Sequence, residues 1–264
     1  MITNEIIWIT GASSGIGYEV AKELAIQGNK VIASGRNAQA LDLLAKESHN
    51  ILPLVCDLVT DRHQSIHHSL ADLTSHLDRI ILSAGDCKYL DVNSPDWSCI
   101  TQIMDINFHG SIRAIQAALP LLEQSNNGHI VGITSMASIA PFTQAQAYGA
   151  SKAAFSYFLQ SLRIDLKDKN IDVTDVMPGF IDTPLTRKND FDMPFLLSVN
   201  DASNNIIKAI EKRSYSAVFP KRLYWLFKCS SLFPKLWLKL NRPKRDIREG
   251  DNEKIKCEIN HVVK

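Results

Sequence analysis

The chain has 264 residues, with 29 Lys and Arg against 28 Asp and Glu, a formal charge of +1. With 45 % apolar and 22 % charged residues it has the length for one large domain with its own core, and disordered or collagen-like classes are excluded. A balance so near zero argues against a general nucleic-acid binder, so no nucleic-acid partner is expected. The five cysteines (Cys56, Cys87, Cys99, Cys229 and Cys257) show no CxxC pair and no Cys/His ligand spacing. Neither a disulfide framework nor a metal site is expected from them. His67 and His68 have no second cluster to join and read as solvated helix side chains. The first residues lack a basic-then-apolar leader pattern, and no apolar run nears the ~20 residues of a spanning helix. A cytoplasmic protein is expected.

In chain order, short apolar runs at 6–10, 31–34, 51–55, 79–83, 129–134, 171–177 and 216–219 predict seven strands. Longer stretches with apolar residues three and four apart lie between them, such as Ile16, Val20 and Leu24, or Phe155, Phe158, Leu159 and Leu162. This alternation predicts βαβ units, hence an α/β fold with one seven-stranded parallel sheet and helices on both faces. The expected catalytic domain spans 1–220, and 221–264 form an extension of different character. Residues 1–220 carry 17 Lys and Arg against 23 Asp and Glu, a net of −6, whereas 221–248 carry nine against one, a net of +8. The near-neutral total therefore conceals an acidic body and a basic, aromatic tail.

The first strand runs into Thr10-Gly11-Ala12-Ser13-Ser14-Gly15-Ile16-Gly17 and then an amphipathic helix. Glycines there allow a tight turn and let backbone N–H groups approach a pyrophosphate, which the helix N-terminus faces. A merely structural turn is the competing reading. An acid at the end of the second strand would hold a free ribose 2′-hydroxyl; here Ser34-Gly35-Arg36-Asn37 has none. Arg36 suits a 2′-phosphate, so NADP(H) is preferred and NAD(H) is the alternative, unless Arg36 is simply solvated. Asp57, in Cys56-Asp57-Leu58 after the third strand, is placed for the adenine amino group or for a helix N-cap.

Ser135 follows the fifth strand, and Tyr148 and Lys152 stand at i and i+4 on one helix face. A free phenol has a pKa near ~10. A nearby ammonium is expected to lower it, so that Tyr148 exchanges protons with a carbonyl or alcohol oxygen held by Ser135.

On these residues the chain resembles the short-chain dehydrogenase/reductase family in its single-domain form, over roughly residues 4–220. The resemblance implies a Rossmann-type, three-layer, doubly wound fold and an oxidoreductase acting on a small carbonyl or alcohol. It implies that Gly11, Ser13, Ser14, Gly15, Ile16, Gly17, Asp57, Leu58, Ala84 and Gly85 bind the cofactor. Pro178, Gly179, Ile181 and Thr183 would cradle its nicotinamide end and diphosphate. Tyr148 would be the proton donor and acceptor, and Lys152 would bond the ribose and tune Tyr148. Ser135 would orient substrate, and Asn107 would anchor a water leading from Lys152 to solvent. A homodimer or homotetramer is implied as well. One departure stands out: the family's Asn-Asn-Ala-Gly after the fourth strand is here Leu82-Ser83-Ala84-Gly85, which removes two bracing amides.

Apolar residues between 184 and 200 (Phe191, Met193, Phe195, Leu196, Leu197) suggest either a lid over a hydrophobic substrate or plain packing. The basic stretch 221–248 admits three readings: a peripheral membrane contact, two short helices near 222–229 and 234–241 covering the pocket or a subunit edge, or a partner-docking arm. The competing function is an NADP(H)-binding sensor or scaffold without turnover.

Overall fold

A computed structural model of the protein describes residues 1–189 and 191–241. Arg242, Lys244, Arg245 and Arg248 of the basic stretch, and Cys257, lie outside the described residues. Seven strands form one parallel sheet: β1 (Ile6–Thr10), β2 (Lys30–Gly35), β3 (Ile51–Val55), β4 (Arg79–Leu82), β5 (Gly128–Ile133), β6 (Ile171–Pro178) and β7 (Ser216–Phe219). Their order is β3-β2-β1-β4-β5-β6-β7. Each predicted strand is present, within one residue at either end.

Both sheet faces are covered, which is why the strands read as continuous apolar runs rather than alternating ones. On one face Ile7, Ile9, Val31, Ile81 and Val131 pack against α1 (Gly15–Ile26) and α7 (Val199–Glu211). Their strand neighbours Trp8, Ile32, Ile80 and Ile130 point to the other face, toward α3 (His63–Ala71), α5 (Gly110–Leu122) and α6 (Gln146–Asp165). The two-residue period of a strand thus feeds two separate apolar layers. α2 (Ala38–Ala45) lies against β3, capped by the Asn37 side chain, which accepts from Ala40 N at 3.1 Å.

Below the sheet, at the strands' N-terminal side, the Arg79 guanidinium donates to both Glu5 carboxylate oxygens and meets the His129 ring. Burial, with Arg79 beside it, pushes the His129 imidazole well down, so it is neutral near pH 7. His67 is more than solvated, since its Nδ1 bonds the Ala117 carbonyl oxygen at 2.9 Å.

The segment holding Asn107 departs from a single helix. α4 (Ser98–Met104) passes through one wide π-helical turn, Asp105–His109, before α5 begins. Inserted turns of this kind re-aim the side chains that follow them, often at functional sites. The tail forms α8 (Lys221–Leu232) and α9 (Pro234–Leu240), interrupted at Pro234 as its missing N–H and fixed φ dictate. Leu223 and Phe227 of α8 are buried against Met136, Ala140 and Phe142. The Trp237 indole N–H of α9 donates to the Pro141 carbonyl at 2.8 Å.

Candidate active site

The strand order reverses between β1 and β4, which opens a crevice at the strands' C-terminal ends. Four loops meet there, and the cavity of about 170 Å³ between them is lined by Gly11, Ser14, Gly15 and Ile16 on one side. Gly85, Ser135, Tyr148, Lys152, Pro178, Gly179, Ile181 and Thr183 line it as well, among others. The structure therefore brings together most of the residues the sequence singles out.

The glycine turn is shaped by close approach. At Gly11, φ is +68° and a Cβ would lie 2.6 Å from the Ala84 Cα, so only glycine lets β1 and β4 continue side by side. A Cβ on Gly17 would lie 2.5 Å from the Gly11 carbonyl oxygen, the seat of the tight turn against α1. Gly15 faces Thr183 across the cleft. The Ser14 hydroxyl makes no cap bond, and the first turn of α1 carries no acid. Its N–H groups are thus left for an anionic ligand. A nucleotide diphosphate fits this turn.

At the adenine end, Ser34 is committed to structure: its hydroxyl accepts from the Trp8 indole at 2.8 Å and is buried. Ser13 lies over Gly35, and Arg36 follows as an exposed side chain at the lip of the sheet. Asp57 accepts from Val59 N at 2.9 Å through one oxygen, a local turn bond; it is not a helix N-cap, since Arg62 holds that position for α3. The Leu58 carbonyl oxygen accepts from Arg113 at 2.6 Å, tying this loop to α5.

Around the reacting residues, Lys152 Nζ donates to the Ile133 carbonyl oxygen at 2.9 Å and stands 5.9 Å from the Tyr148 ring centre. Burial pulls the Lys152 ammonium down to about 8, against the Asp175 carboxylate, which raises it. The Tyr148 phenol is pushed up to about 12 by burial, with the Ser135 hydroxyl acting the other way. This corrects the expectation that Lys152 lowers the Tyr148 pKa. Desolvation of the phenolate outweighs a cation that is turned toward a backbone carbonyl.

Asn107 is fully buried with its amide saturated. Its Oδ1 accepts from Asp86 N at 2.8 Å, and its Nδ2 donates to the Asp86 carbonyl and to Ser151 Oγ, each at 2.9 Å. Ser151 Oγ in turn donates to the Tyr148 carbonyl at 2.8 Å. The side chain braces the 84–87 loop against α6. Of the departure at Leu82-Ser83, Leu82 is absorbed into the core, and the Thr10 hydroxyl accepts from Ala84 N at 3.2 Å.

Asp175 joins the site without belonging to any of the motifs above. Its carboxylate is buried beneath the site and accepts from Thr134 Oγ1 at 2.6 Å and Ser156 Oγ at 2.5 Å. An acid inside an apolar strand, in Ile171-Asp172-Val173-Thr174-Asp175-Val176, was the available signal. There is also a second cavity of about 290 Å³ lined by Cys87, Tyr89, Cys99, Leu185, Lys188 and Asn189, among others. Leu185 lines both cavities. The Tyr89 hydroxyl donates to Asn189 Oδ1 at 2.9 Å and its ring meets Phe191 edge-on, so Tyr89 ties both residues to this opening.

Sheet order and cleft together define an α/β protein of the doubly wound kind, with its ligand crevice at the topological switch point. The sequence profile of the family described as short chain dehydrogenase matches residues 5–193. An uncharacterized oxidoreductase of Staphylococcus epidermidis is 31 % identical over 219 residues, covering 81 % of this chain and 94 % of its own. The 11-beta-hydroxysteroid dehydrogenase-like 2 of Arabidopsis thaliana is 32 % identical over 250 residues, covering 89 % of this chain and 80 % of its own. A crystal structure of a short chain dehydrogenase from Burkholderia cenocepacia in complex with NADP superposes with a TM-score of 0.80 at 22 % identity, over 91 % of this chain and 99 % of that one. The chain belongs to the short chain dehydrogenase family and is an oxidoreductase of that family.

Proposed function

We propose that the protein is an NADP(H)-dependent oxidoreductase interconverting a carbonyl and a secondary alcohol, with Tyr148 as general acid and base. The observation that carries the reading is a single cavity with Ser135, Tyr148 and Lys152 on one wall and the bare N-terminus of α1 on the other. When bound, the cofactor supplies the hydride chemistry. The glycine turn and α1 hold its diphosphate, while Pro178, Gly179, Ile181 and Thr183 line its nicotinamide end. Arg36 offers a planar donor fork to a 2′-phosphate; the Burkholderia neighbour, described in complex with NADP, supports that choice. NAD(H) is the weaker alternative.

A phenol near 12 stays protonated at neutral pH, so Tyr148 Oη is a proton donor suited to carbonyl reduction. Ser135 Oγ faces it and positions the substrate oxygen. Lys152, near 8, carries its charge at neutral pH and bonds the ribose. Asn107 and Asp175 are positioning residues acting through α6. Leu185, which lines both cavities, and Phe191, packed on Phe180 and on Tyr89 of the second cavity, favour a hydrophobic substrate, as does the hydroxysteroid named for the Arabidopsis relative. Residues 1–220 form the catalytic unit. Pairing into a homodimer would cover the exposed Tyr157 and Ile164 on α6. The proposed compartment is the cytoplasm; no helix among the described residues is long and apolar enough to cross a membrane.

The test is NADPH oxidation by the purified protein across ketones, aldehydes and long-chain carbonyls, with Tyr148→Phe alongside. Loss of a positioned general acid is expected to cost about 10²–10⁴-fold in turnover. Retention of most turnover by Tyr148→Phe refutes the mechanism.

A further inference from the structure

The inner face of the helical pair α8–α9 is committed. Leu223 and Phe227 are buried, and the rings of Phe142, Phe227 and Trp237 meet edge-on at 4.9–5.7 Å. The Trp237 bond to Pro141 fixes the rotation of α9. Among the described residues the outer face has no such cover. Trp225, Leu232, Phe233, Leu236 and Leu240 are each 55–71 % exposed within sixteen residues of chain. At 100° per residue, Trp225 and Leu232 point directly away from Leu223 and Phe227, with Lys221 and Lys228 on one flank and Arg222 on the other. Residues 221–241 contain five cations and no acid, on a body whose net charge is −6.

We infer that this outer face of α8–α9 is a docking surface for an anionic lipid bilayer. Aromatic and leucine side chains enter the boundary between headgroups and acyl chains, while the flanking cations meet anionic headgroups through long aliphatic stems. Charge complementarity selects this occupant. Isologous pairing with a second copy would set cations against the same cations, since a two-fold axis matches a patch with itself.

The position of the surface deepens the proposed function, and this part of the inference rests on that reading. Leu223 of α8 packs on Gly179 beneath the cleft's nicotinamide loop. Phe180 belongs to the same apolar cluster as Phe227 and Trp237, and Phe191 bridges from it to Tyr89 at the second cavity. The packed inner face of the same helices thus adjoins the cleft loop and, through Phe180 and Phe191, the second cavity, so the docking face lies on the opposite side of a helical pair that borders the substrate opening. The substrate class it suits is a lipophilic carbonyl or alcohol drawn from the bilayer.

The experiment is flotation of the full chain with phosphatidylcholine vesicles, with and without phosphatidylglycerol. Two exposed-face variants run beside it: Trp225→Ser/Leu232→Ser/Leu236→Ser, and Lys221→Gln/Arg222→Gln/Lys228→Gln. Thermal melts establish that each is folded; if the serine variant is not, the charge variant carries the test. The parent chain floats with the anionic vesicles and much less with neutral ones. Neutralising three cations lowers binding on the order of 100-fold, at ~1 kcal/mol for each. A parent chain that stays with the free protein overturns the inference, as do folded variants that float like the parent. Concentration-dependent self-association that the serine variant abolishes, without flotation, also overturns it and assigns the face to a second copy. Flotation does not depend on turnover. A chain that floats but reduces no carbonyl keeps the docking surface and refutes only the enzyme.

Discussion

Lys152 Nζ lies 5.9 Å from the centre of the Tyr148 ring and gives a hydrogen bond to the Ile133 carbonyl, while the Asp175 carboxylate below it raises its proton affinity. The cation is therefore balanced between burial, which disfavours it, and one buried acid, which favours it. Deprotonation near pH 8 removes the positive charge beside the reacting phenol, so reduction rates are expected to fall above about pH 8. Asp175→Asn keeps an acceptor for Thr134 and removes the negative charge. The alkaline limb of kcat/KM against pH should then move to lower pH. An unmoved limb would show that Asp175 does not act through Lys152.

Burial of Lys152 also makes a stability prediction. Its pKa falls from 10.5 unfolded to about 8 folded, so between those values the unfolded chain binds more protons and stability rises with pH. Below about pH 8 the full penalty is present, about 3 kcal/mol by the ~1.4 kcal/mol per pKa unit relation and less if the site relaxes. Lys152→Met keeps the volume without the charge. It is expected to melt at higher temperature than the parent at pH 7, with the gap closing as pH rises toward 10, while turnover is lost. A lower melting temperature for Lys152→Met at neutral pH would contradict this sign.

Much of this arrangement was legible in the sequence because each part has a local cause. The strands are apolar runs that both sheet faces require. Gly11 and Gly17 sit where a Cβ would strike backbone, and Tyr148 and Lys152 share a helix face by spacing alone. What was not legible depends on distant partners. The π-helical turn at Asn107 has no composition signature. Asp175 acquires its role only when β6 lies beside β5, which brings Thr134 to it. The direction of the Tyr148 shift was misjudged for the same reason: spacing shows that a lysine is near, and only packing shows how much water is gone.

Cofactor choice rests on one exposed side chain. A charge-assisted bond from guanidinium to phosphate contributes about 1.5–3 kcal/mol, which is ~10–100-fold in affinity. Arg36→Ala should weaken NADPH by that factor and leave NADH nearly unchanged, read by titrating each cofactor against the purified protein. Equal losses for both would place Arg36 on a group the two cofactors share. No loss for either would return it to a solvated loop residue.

Asn107 offers the sharpest separation between bracing and chemistry. Its side chain is fully buried and its amide closes three bonds at 2.8–2.9 Å, and Asn107→Leu has nearly the same volume with none of them. The orphaned Asp86 N–H and carbonyl then carry desolvation costs of about 1–3 kcal/mol each. Ser151 keeps its bond to the Tyr148 carbonyl, so α6 itself should survive. The expected result is a variant with a lower denaturant midpoint, an unchanged m-value, and a turnover loss larger than its loss of cofactor affinity, because the 84–87 loop flanking Lys152 is freed while the glycine turn is untouched. An Asn107→Leu protein that loses stability but keeps parental turnover would confine Asn107 to the fold.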